Sequence, residues 1–252
     1  MTDWATASPG ALRRAHRIEG RGRGALPDDV QVQRIKGALT VHPSRQHTAA
    51  GTLLWWHGGG FVAGHPLRAL APAAWIASTA GMACVLPLWP LTPEAKWPVQ
   101  AEHARAWCDR MESPVYVGGD SAGGAVALAC ADLAEALVLA YPALGGSPGQ
   151  SVAAWGTREN GLDAAAVRAM YDRLGAPSLS EIWKAGLPPC LLLTGDREAL
   201  ADDAAVLARL GDFDKHVTPG AGHGFLRDAG RIDTATKAAF AAGQWLKSLR
   251  DR

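Results

Sequence analysis

The sequence feature that most constrains the fold is a glycine-rich stretch, VYVGGDSAGGAV, that begins at Val115. An apolar, β-branched run precedes the glycines, and a run of small residues follows them. A strand is therefore predicted before the glycines and a helix after them. Because no ordinary loop fits between the two, the chain must turn sharply at Ser121. Gly119, Ser121 and Gly123 fit the pattern G-x-S-x-G, in which small residues let a tight turn expose a serine hydroxyl beside a helix N-terminus. The alternative interpretation is a glycine-rich turn without a chemical role.

A serine hydroxyl is a weak nucleophile and needs a base that takes its proton. Of the eight histidines, His223 is the best placed, because it lies in a turn, PGAGHGF, directly after a late predicted strand. The flanking glycines allow this turn to bring the imidazole back over the edge of the sheet. His57 precedes three consecutive glycines and is predicted to hold their loop through hydrogen bonds rather than to transfer protons. No role is predicted for His16, His42, His47, His103 and His216.

The base needs a carboxylate that orients it, and the reaction needs hydrogen-bond donors for the oxyanion. Two carboxylates, Asp196 and Glu198, follow a predicted strand at 190–194, and position alone leaves both open. The glycines at 58–60 follow a uniformly apolar strand. Their N–H groups can point toward one place together with the N–H of Ala122, the residue after the serine. The sequence therefore supplies a candidate for each part of a nucleophilic hydrolase site.

Strands alternate with helices along the chain, which predicts an α/β fold with a mostly parallel central sheet and helices on both faces. The serine, the carboxylate and the histidine follow one another in the chain order of the α/β-hydrolase fold. Asp202 and Asp203 are interpreted as the first residues of a helix, at the positive end of its dipole. Strands are predicted at 30–41 (one or two half-exposed edge strands), 52–56, 83–88, 114–117, 136–141, 190–194 and 216–218. Helices are predicted at 10–18, 67–79, 98–111, 125–131, around 161–174, 202–210 and 234–249.

Length and composition limit the class of protein. With 252 residues, 48% hydrophobic content and no linker-like segment, the chain is predicted to form a single domain over residues 1–252. The formal net charge of +1 favours neither nucleic acid nor a membrane surface as a partner. The four cysteines are widely spaced among apolar neighbours, so they are predicted to be reduced core residues. Because no apolar run has membrane-spanning length and no signal-peptide pattern is visible, we expect a cytoplasmic protein.

Two motifs together resemble those of the hormone-sensitive-lipase-like branch of the α/β-hydrolases, a group of bacterial esterases marked by H-G-G-G-F and G-D-S-A-G-G. Both motifs are intact here, at 57–61 and 119–124. The segment LWPLTPE is similar to a further family motif, with Trp89 at the position of a tyrosine. The resemblance implies that Gly59, Gly60 and Ala122 are the oxyanion donors.

The same resemblance bears on the acid. In the family, a leucine follows the acid after two residues and an aspartate after four. Glu198 keeps this spacing, with Leu200 and Asp202 after it, whereas Asp196 does not. The resemblance therefore implies Glu198 as the acid, with glutamate in the place of the commoner aspartate.

The chain departs from the family in the two segments that form the family's cap over the acyl pocket. Residues 1–29 and about 142–186 are short, which predicts a reduced cap. A small cap offers little apolar surface to a long acyl chain, so short acyl chains are expected. The N-terminal arginines are interpreted as a solvated helix face. They are Arg13, Arg14, Arg17, Arg21 and Arg23.

The resemblance implies a serine carboxylesterase that acts on a small-molecule ester through an acyl-enzyme on Ser121, with no metal or cofactor. An amide or formamide hydrolase with the same triad is an alternative, and a homo-oligomer is compatible with the sequence. A second alternative is a non-catalytic binding protein on this scaffold, against which the intact turn at 223–225 argues. Trp55 and Trp56 are predicted to lie in the core. Trp89 and Trp155 are equally compatible with a pocket wall and with packing.

Overall fold

The structure, a computed structural model, describes residues 3–19, 24–44, 51–112, 114–176, 179–183 and 186–251. Its centre is an eight-stranded sheet with the strand order β1-β2-β4-β3-β5-β6-β7-β8. The strands are β1 (Val30–Ile35), β2 (Ala38–Pro43), β3 (Thr52–Trp56), β4 (Ala83–Pro87), β5 (Val115–Asp120), β6 (Ala136–Ala140), β7 (Cys190–Arg197) and β8 (Asp214–Gly222). The α-helices are α1 (Pro9–Glu19), α2 (Pro66–Ala80), α3 (Val99–Cys108), α4 (Ala122–Leu128), α5 (Gln150–Trp155), α6 (Ala164–Leu174), α7 (Leu179–Ile182), α8 (Asp203–Ala208) and α9 (Asp233–Arg250). Two short 3-10 helices cover Ala131–Leu133 and Phe225–Asp228.

The sheet is antiparallel at one edge and parallel elsewhere. β2 pairs antiparallel with β1 and with β4. The pairs from β4–β3 through to β7–β8 are parallel, which confirms the mostly parallel sheet predicted from the sequence. Because parallel strands have their carboxyl ends at one edge, the segments that follow β3, β5, β7 and β8 meet there. Those four segments carry the glycines, the serine, the glutamate and the histidine singled out above.

Helices cover both faces of the sheet, as predicted. On one face α2 and α9 pack together over Leu53 and Trp55 of β3. On the other face α3, α4 and α8 pack in the cluster that contains Leu54 and Trp56. These four β3 side chains are fully buried, and both tryptophans lie in the core as predicted. A strand covered on both faces has no polar side, which explains the uniformly apolar sequence of β3.

Some element predictions were wrong in detail. β2 is largely buried between β1 and β4, so only β1 is an exposed edge strand at this end of the sheet. The helix after Ser121 begins at Ala122, not at residue 125, because a single residue makes the turn. The described residues between 142 and 186 contain three helices, where the pattern predicts one near 161–174. α5 and α7 contain six and four residues, too few to show a helical period in sequence.

The N-terminal helix is tied to the core, so the interpretation of its arginines as a solvated face is wrong for Arg13. Its Nε donates to the carbonyl oxygen of Val62 at 2.9 Å, and its Nη2 donates to that of Thr92 at 2.8 Å. The same guanidinium forms an ion pair with Glu94. These contacts fix α1 against the segment that follows the glycines. Arg21, Arg23 and His47 lie outside the described residues.

Two further observations bear on the composition. The four cysteines, Cys84, Cys108, Cys130 and Cys190, are buried thiols, as predicted. Within the described ranges, no helix combines the length and the apolar composition that crossing a membrane requires.

Candidate active site

The turn after β5, which we call the elbow (residues 119–123), is as tight as its glycines suggest. Ser121 has φ 54° and ψ −120°, a conformation that few non-glycine residues adopt. A Cβ on Gly123 would lie 2.0 Å from the carbonyl oxygen of Trp56. A Cβ on Gly119 would lie 2.4 Å from the carbonyl oxygen of Gly123. Because backbone atoms close both spaces, glycine is required on each side of the serine.

Three side chains from separate segments contact one another at the carboxyl edge of the sheet. The Oγ of Ser121 lies 2.9 Å from Nε2 of His223, and Nδ1 of His223 lies 2.8 Å from Oε1 of Glu198. The side chains of His223 and Glu198 are only 8% and 1% exposed. Oε1 of Glu198 also accepts the N–H of Leu200 at 2.8 Å. Asp196, the other carboxylate that the sequence leaves open, is exposed at the end of β7, so the structure places Glu198 against His223.

The turn that carries His223 is held by neighbours from a different part of the chain. Its backbone N–H donates to the carbonyl oxygen of Asn160 at 2.7 Å. A Cβ on Gly161 would lie 2.4 Å from the carbonyl oxygen of His223, so the two segments pack backbone to backbone. The ring of Tyr141 meets the imidazole edge-on, with centroids 5.0 Å apart. Contacts to the backbone of His223 and to its ring therefore position the imidazole.

The glycine loop (residues 57–61) approaches the serine through its backbone. Gly59 and Gly60 have φ values of 136° and 57°, and a Cβ on Gly59 would lie 2.0 Å from the carbonyl oxygen of Ala63. In the described part of the chain, the N–H groups of Gly59 and Gly60 donate to no backbone carbonyl. Ala122 is the first residue of α4, so its N–H has no acceptor within the helix. Unused N–H donors beside a serine hydroxyl are what an oxyanion hole requires.

His57 lies beneath this loop as a neutral, buried side chain. Its Nδ1 lies 2.9 Å from the carbonyl oxygen of Gly58, and its ring packs on Trp89 with centroids 5.2 Å apart. A Cβ on Gly64 would lie 2.3 Å from the same Nδ1. Burial lowers the pKa of His57 to about 4. A buried imidazole with so low a pKa supports the predicted role of holding the loop.

The acid loop (residues 198–203) is joined to the segment after β6 by side-chain hydrogen bonds. Oδ2 of Asp202 accepts the N–H of Ser151 at 2.9 Å. Asp203 accepts the N–H of Leu144 and the hydroxyl of Tyr171. Both aspartates lie at the N-terminus of α8, as predicted, and their side chains in addition bind another segment, which the sequence did not predict. Burial raises the pKa of Asp203 to about 6.

A cavity of about 430 Å³ opens onto Ser121 and His223. Its wall includes several residues for which the sequence suggests no role, namely Trp4, His16, Tyr141, Met170 and Arg227. Trp4 and His16 come from the N-terminal segment and Met170 comes from α6, so both predicted cap segments reach the cavity. An amphipathic pattern in α1 could have indicated that His16 is buried. It could not have indicated that His16 lies in the cavity wall, because such a pattern does not show against which surface a helix packs. His16 is 4% exposed and contacts the ring of Trp4 edge-on.

The two tryptophans left open by the sequence lie outside this wall. Trp89 is 5% exposed and packs on His57 and Phe61. Trp155, at the end of α5, is 38% exposed. Packing therefore accounts for Trp89, and neither tryptophan contributes to the cavity.

Several known proteins are similar to this chain in sequence or in fold. The model of the alpha/beta hydrolase fold family matches residues 53–227. An acetyl-hydrolase of Streptomyces hygroscopicus is 30% identical over 209 residues, which are 73% of this chain and 69% of that protein. An esterase of Pyrobaculum calidifontis has a TM-score of 0.81 at 20% identity, over 98% of this chain and 94% of that one. The thermostable carboxylesterase EstE1, cloned from a metagenomic library, has a TM-score of 0.79 at 23% identity, over 96% and 98%. At such identities the structural likeness shows the fold alone. The family model, which matches more than half of the chain, and the acetyl-hydrolase relative show that the chain belongs to the hormone-sensitive-lipase-like branch of the α/β-hydrolases.

Proposed function

We propose that this ester hydrolase of the α/β-hydrolase family cleaves carboxylic esters of short acyl chains through an acyl-enzyme on Ser121. The observation that carries the proposal is the unbroken series of contacts from the Oγ of Ser121 through the imidazole of His223 to Glu198. A hydroxyl, an imidazole and a carboxylate in this order are a nucleophile, a general base and the group that orients the base.

In the first half of the reaction, Oγ of Ser121 attacks the ester carbonyl carbon while Nε2 of His223 takes the hydroxyl proton. Nδ1–H of His223 donates to Oε1 of Glu198, which fixes the tautomer and stabilises the imidazolium. The negative oxygen of the tetrahedral intermediate accepts hydrogen bonds from the N–H groups of Gly59, Gly60 and Ala122. When the intermediate collapses, Nε2 returns the proton to the departing alkoxide, and the acyl group stays on the serine.

In the second half, a water molecule takes the place of the serine hydroxyl. His223 removes a proton from the water as it attacks the acyl carbon, and then returns a proton to Oγ of Ser121. The carboxylic acid leaves and the serine is regenerated. The serine proton moves between Oγ of Ser121 and Nε2 of His223, which lie 2.9 Å apart, and the same imidazole serves the alcohol and the water.

The preference for short acyl chains rests on the size of the cavity and on its roof. Trp4 and Met170 pack over Gly60, where a Cβ would lie 3.1 Å and 3.5 Å from their side chains. A cavity of about 430 Å³ must hold both the acyl and the alcohol part of the ester. The similarity to a protein named an acetyl-hydrolase also supports a short acyl group.

The test is the release of 4-nitrophenol from 4-nitrophenyl acetate, butyrate and decanoate by the wild type and by Ser121→Ala. We expect hydrolysis by the wild type, with kcat/KM falling from butyrate to decanoate, and a loss of kcat of roughly ten-thousandfold or more in Ser121→Ala. Circular dichroism checks that the variant is folded.

A fluorophosphonate probe separates the competing functions. Covalent labelling of the wild type and not of Ser121→Ala is expected for a serine hydrolase. A wild type that neither hydrolyses esters nor takes the label would contradict the proposal and favour a binding protein. Faster cleavage of an N-formylanilide than of the acetate ester would assign a formamide hydrolase instead.

A further inference from the structure

Arg227 is a charged residue of the cavity that the proposed reaction does not use. It lies in the 3-10 helix Phe225–Asp228 and lines the cavity together with Ser121 and His223. Its Nε donates to the carbonyl oxygen of Gly224 at 2.9 Å. A Cβ on Gly224 would lie 2.1 Å from Nη2 of Arg227. The guanidinium is therefore held over the residue that follows the proposed base.

Within the described residues, the charge of Arg227 has no ion-pair partner. Among the residues that the structure describes, no carboxylate lies within ion-pairing distance of it, and its two terminal nitrogens have no hydrogen-bond acceptor. Its charge acts on Asp120, whose pKa is raised by burial and lowered by Arg227 and Arg68. The carboxylate of Asp120 is engaged elsewhere, because its Oδ1 accepts the indole N–H of Trp55 at 3.3 Å. The terminal N–H groups of Arg227 are thus available at the cavity wall.

Another arginine of the cavity, Arg158, is different. It lies 3.5 Å from Asp3 and 3.3 Å from Asp163, and its side chain is 55% exposed. Its charge is offset by these two carboxylates and screened by solvent. Arg158 therefore has little to offer an anionic ligand, in contrast to the half-buried Arg227.

We propose that Arg227 recognises a carboxylate carried by the ester substrate, so that the preferred substrates are monoanionic esters. A guanidinium presents two parallel N–H donors that match the two oxygens of a carboxylate. In a half-enclosed cavity whose wall also includes Trp4 and Met170, the pairing is stronger than in water, because the local dielectric is lower. A single guanidinium balances one negative charge, which favours a carboxylate over a doubly charged phosphate ester. The inference rests on the proposed ester hydrolysis and adds the charge of the substrate to it.

The experiment uses two pairs of esters in which a carboxylate is replaced by a neutral acetyl group of similar shape. In the first pair the carboxylate lies on the acyl side of monoethyl succinate, and ethyl 4-oxopentanoate is its neutral partner. In the second pair the carboxylate lies on the alcohol side of 4-acetoxybenzoate, and 4-acetoxyacetophenone is its neutral partner. The quantity measured is the ratio of kcat/KM for the anionic ester to kcat/KM for its neutral partner, in the wild type, in Arg227→Gln and in Arg227→Lys. Arg231→Gln is the matched control, because Arg231 is exposed and already paired with Asp228 at 2.7 Å.

We expect the ratio of at least one pair to fall by about tenfold or more in Arg227→Gln, to fall less in Arg227→Lys and to be unchanged in Arg231→Gln. If Arg227 had a purely structural role in the turn, Arg227→Gln would lower kcat/KM equally for both esters of a pair. The ratio would then be unchanged, which would overturn the inference. An equal fall in Arg231→Gln would also overturn it, because the effect would then be general attraction by positive charge. If the wild type hydrolyses 4-nitrophenyl acetate but the ratios do not depend on Arg227, the proposed function stands and this inference fails. If the wild type hydrolyses none of the esters, the proposed function fails first.

A measurement on the wild type covers the case in which Arg227→Gln does not fold. Benzoate and benzamide are compared as competitive inhibitors of 4-nitrophenyl acetate hydrolysis. Inhibition by benzoate at a concentration about tenfold lower or more, weakened by added salt, supports a carboxylate site. Equal inhibition by the two compounds contradicts it.

Discussion

The two halves of the candidate site are built in different ways. The glycine loop and the turn of the elbow are shaped by close backbone contacts, and a Cβ on Gly59 or Gly123 would collide with a carbonyl oxygen at 2.0 Å. The acid–base half consists of side chains that reach across loops, as Glu198 does to His223 at 2.8 Å. At these positions of the first half, only glycine fits. The second half requires only that a carboxylate reaches Nδ1 of His223. This difference explains why both glycine motifs are intact while the acid is a glutamate where the resembling family commonly has aspartate.

Of the changes that compare the two halves, Glu198→Gln in the acid–base half is expected to have the largest effect. The amide can still accept from Nδ1 of His223, but it carries no charge to stabilise the imidazolium, so kcat should fall between about a hundredfold and ten-thousandfold. Asp196→Asn is the matched control and should change kcat by less than about twofold, because Asp196 is exposed. Steady-state kinetics on 4-nitrophenyl acetate decides between them. A greater loss in Asp196→Asn than in Glu198→Gln would show that the acid was assigned to the wrong residue.

The backbone half is tested by Gly59→Ala. The added methyl meets the carbonyl oxygen of Ala63, and the φ of 136° disfavours any side chain, so the loop must move away from the developing oxyanion. We expect kcat to fall by about a hundredfold to a thousandfold, as for the loss of an oxyanion donor. Gly186→Ala is the control, since Gly186 also has a positive φ, 110°, but nothing within 4 Å. If both variants keep wild-type kcat, the glycine loop does not bind the oxyanion.

A smaller effect, on stability, is expected from the support beneath the glycine loop. His57 has a folded-state pKa of about 4, below the ordinary value of 6.5, so the unfolded chain binds its proton first as the pH falls. The stability that this group contributes is complete above pH 6.5 and is lost as the pH falls toward 4, by up to about 3 kcal/mol. His57→Gln should remove that part of the acid sensitivity, measured as the difference between urea unfolding free energies at pH 7 and pH 4.5. Equal pH dependence in the wild type and in His57→Gln would exclude this role.

Most of the central sheet can be predicted from the sequence, because buried strands such as β3 and β6 are short, uniformly apolar and bounded by turns. The elbow is equally local, since the glycines on both sides of Ser121 are required by backbone atoms a few residues away or in the adjacent strand. The carboxyl-edge position of Glu198 and His223 then follows from the parallel order of the strands. The helices α5 and α7 could not be predicted, because so few residues show no period.

The parallel sheet, the sharp turn at Ser121 and the few groups that could act with it can be predicted without a structure. Strand burial and glycine geometry depend on neighbours along the chain and across one sheet. The spacing shared with the family already implies Glu198 as the acid, and the tertiary structure places it against His223. Only the tertiary structure shows that Asp202 and Asp203 bind the segment after β6 and that Trp4, Met170 and Arg227 lie in the cavity wall. These contacts join segments far apart in sequence. A side chain that reaches across such a distance leaves no periodic or spacing signal, because what it needs is a position in space and not a position in the chain.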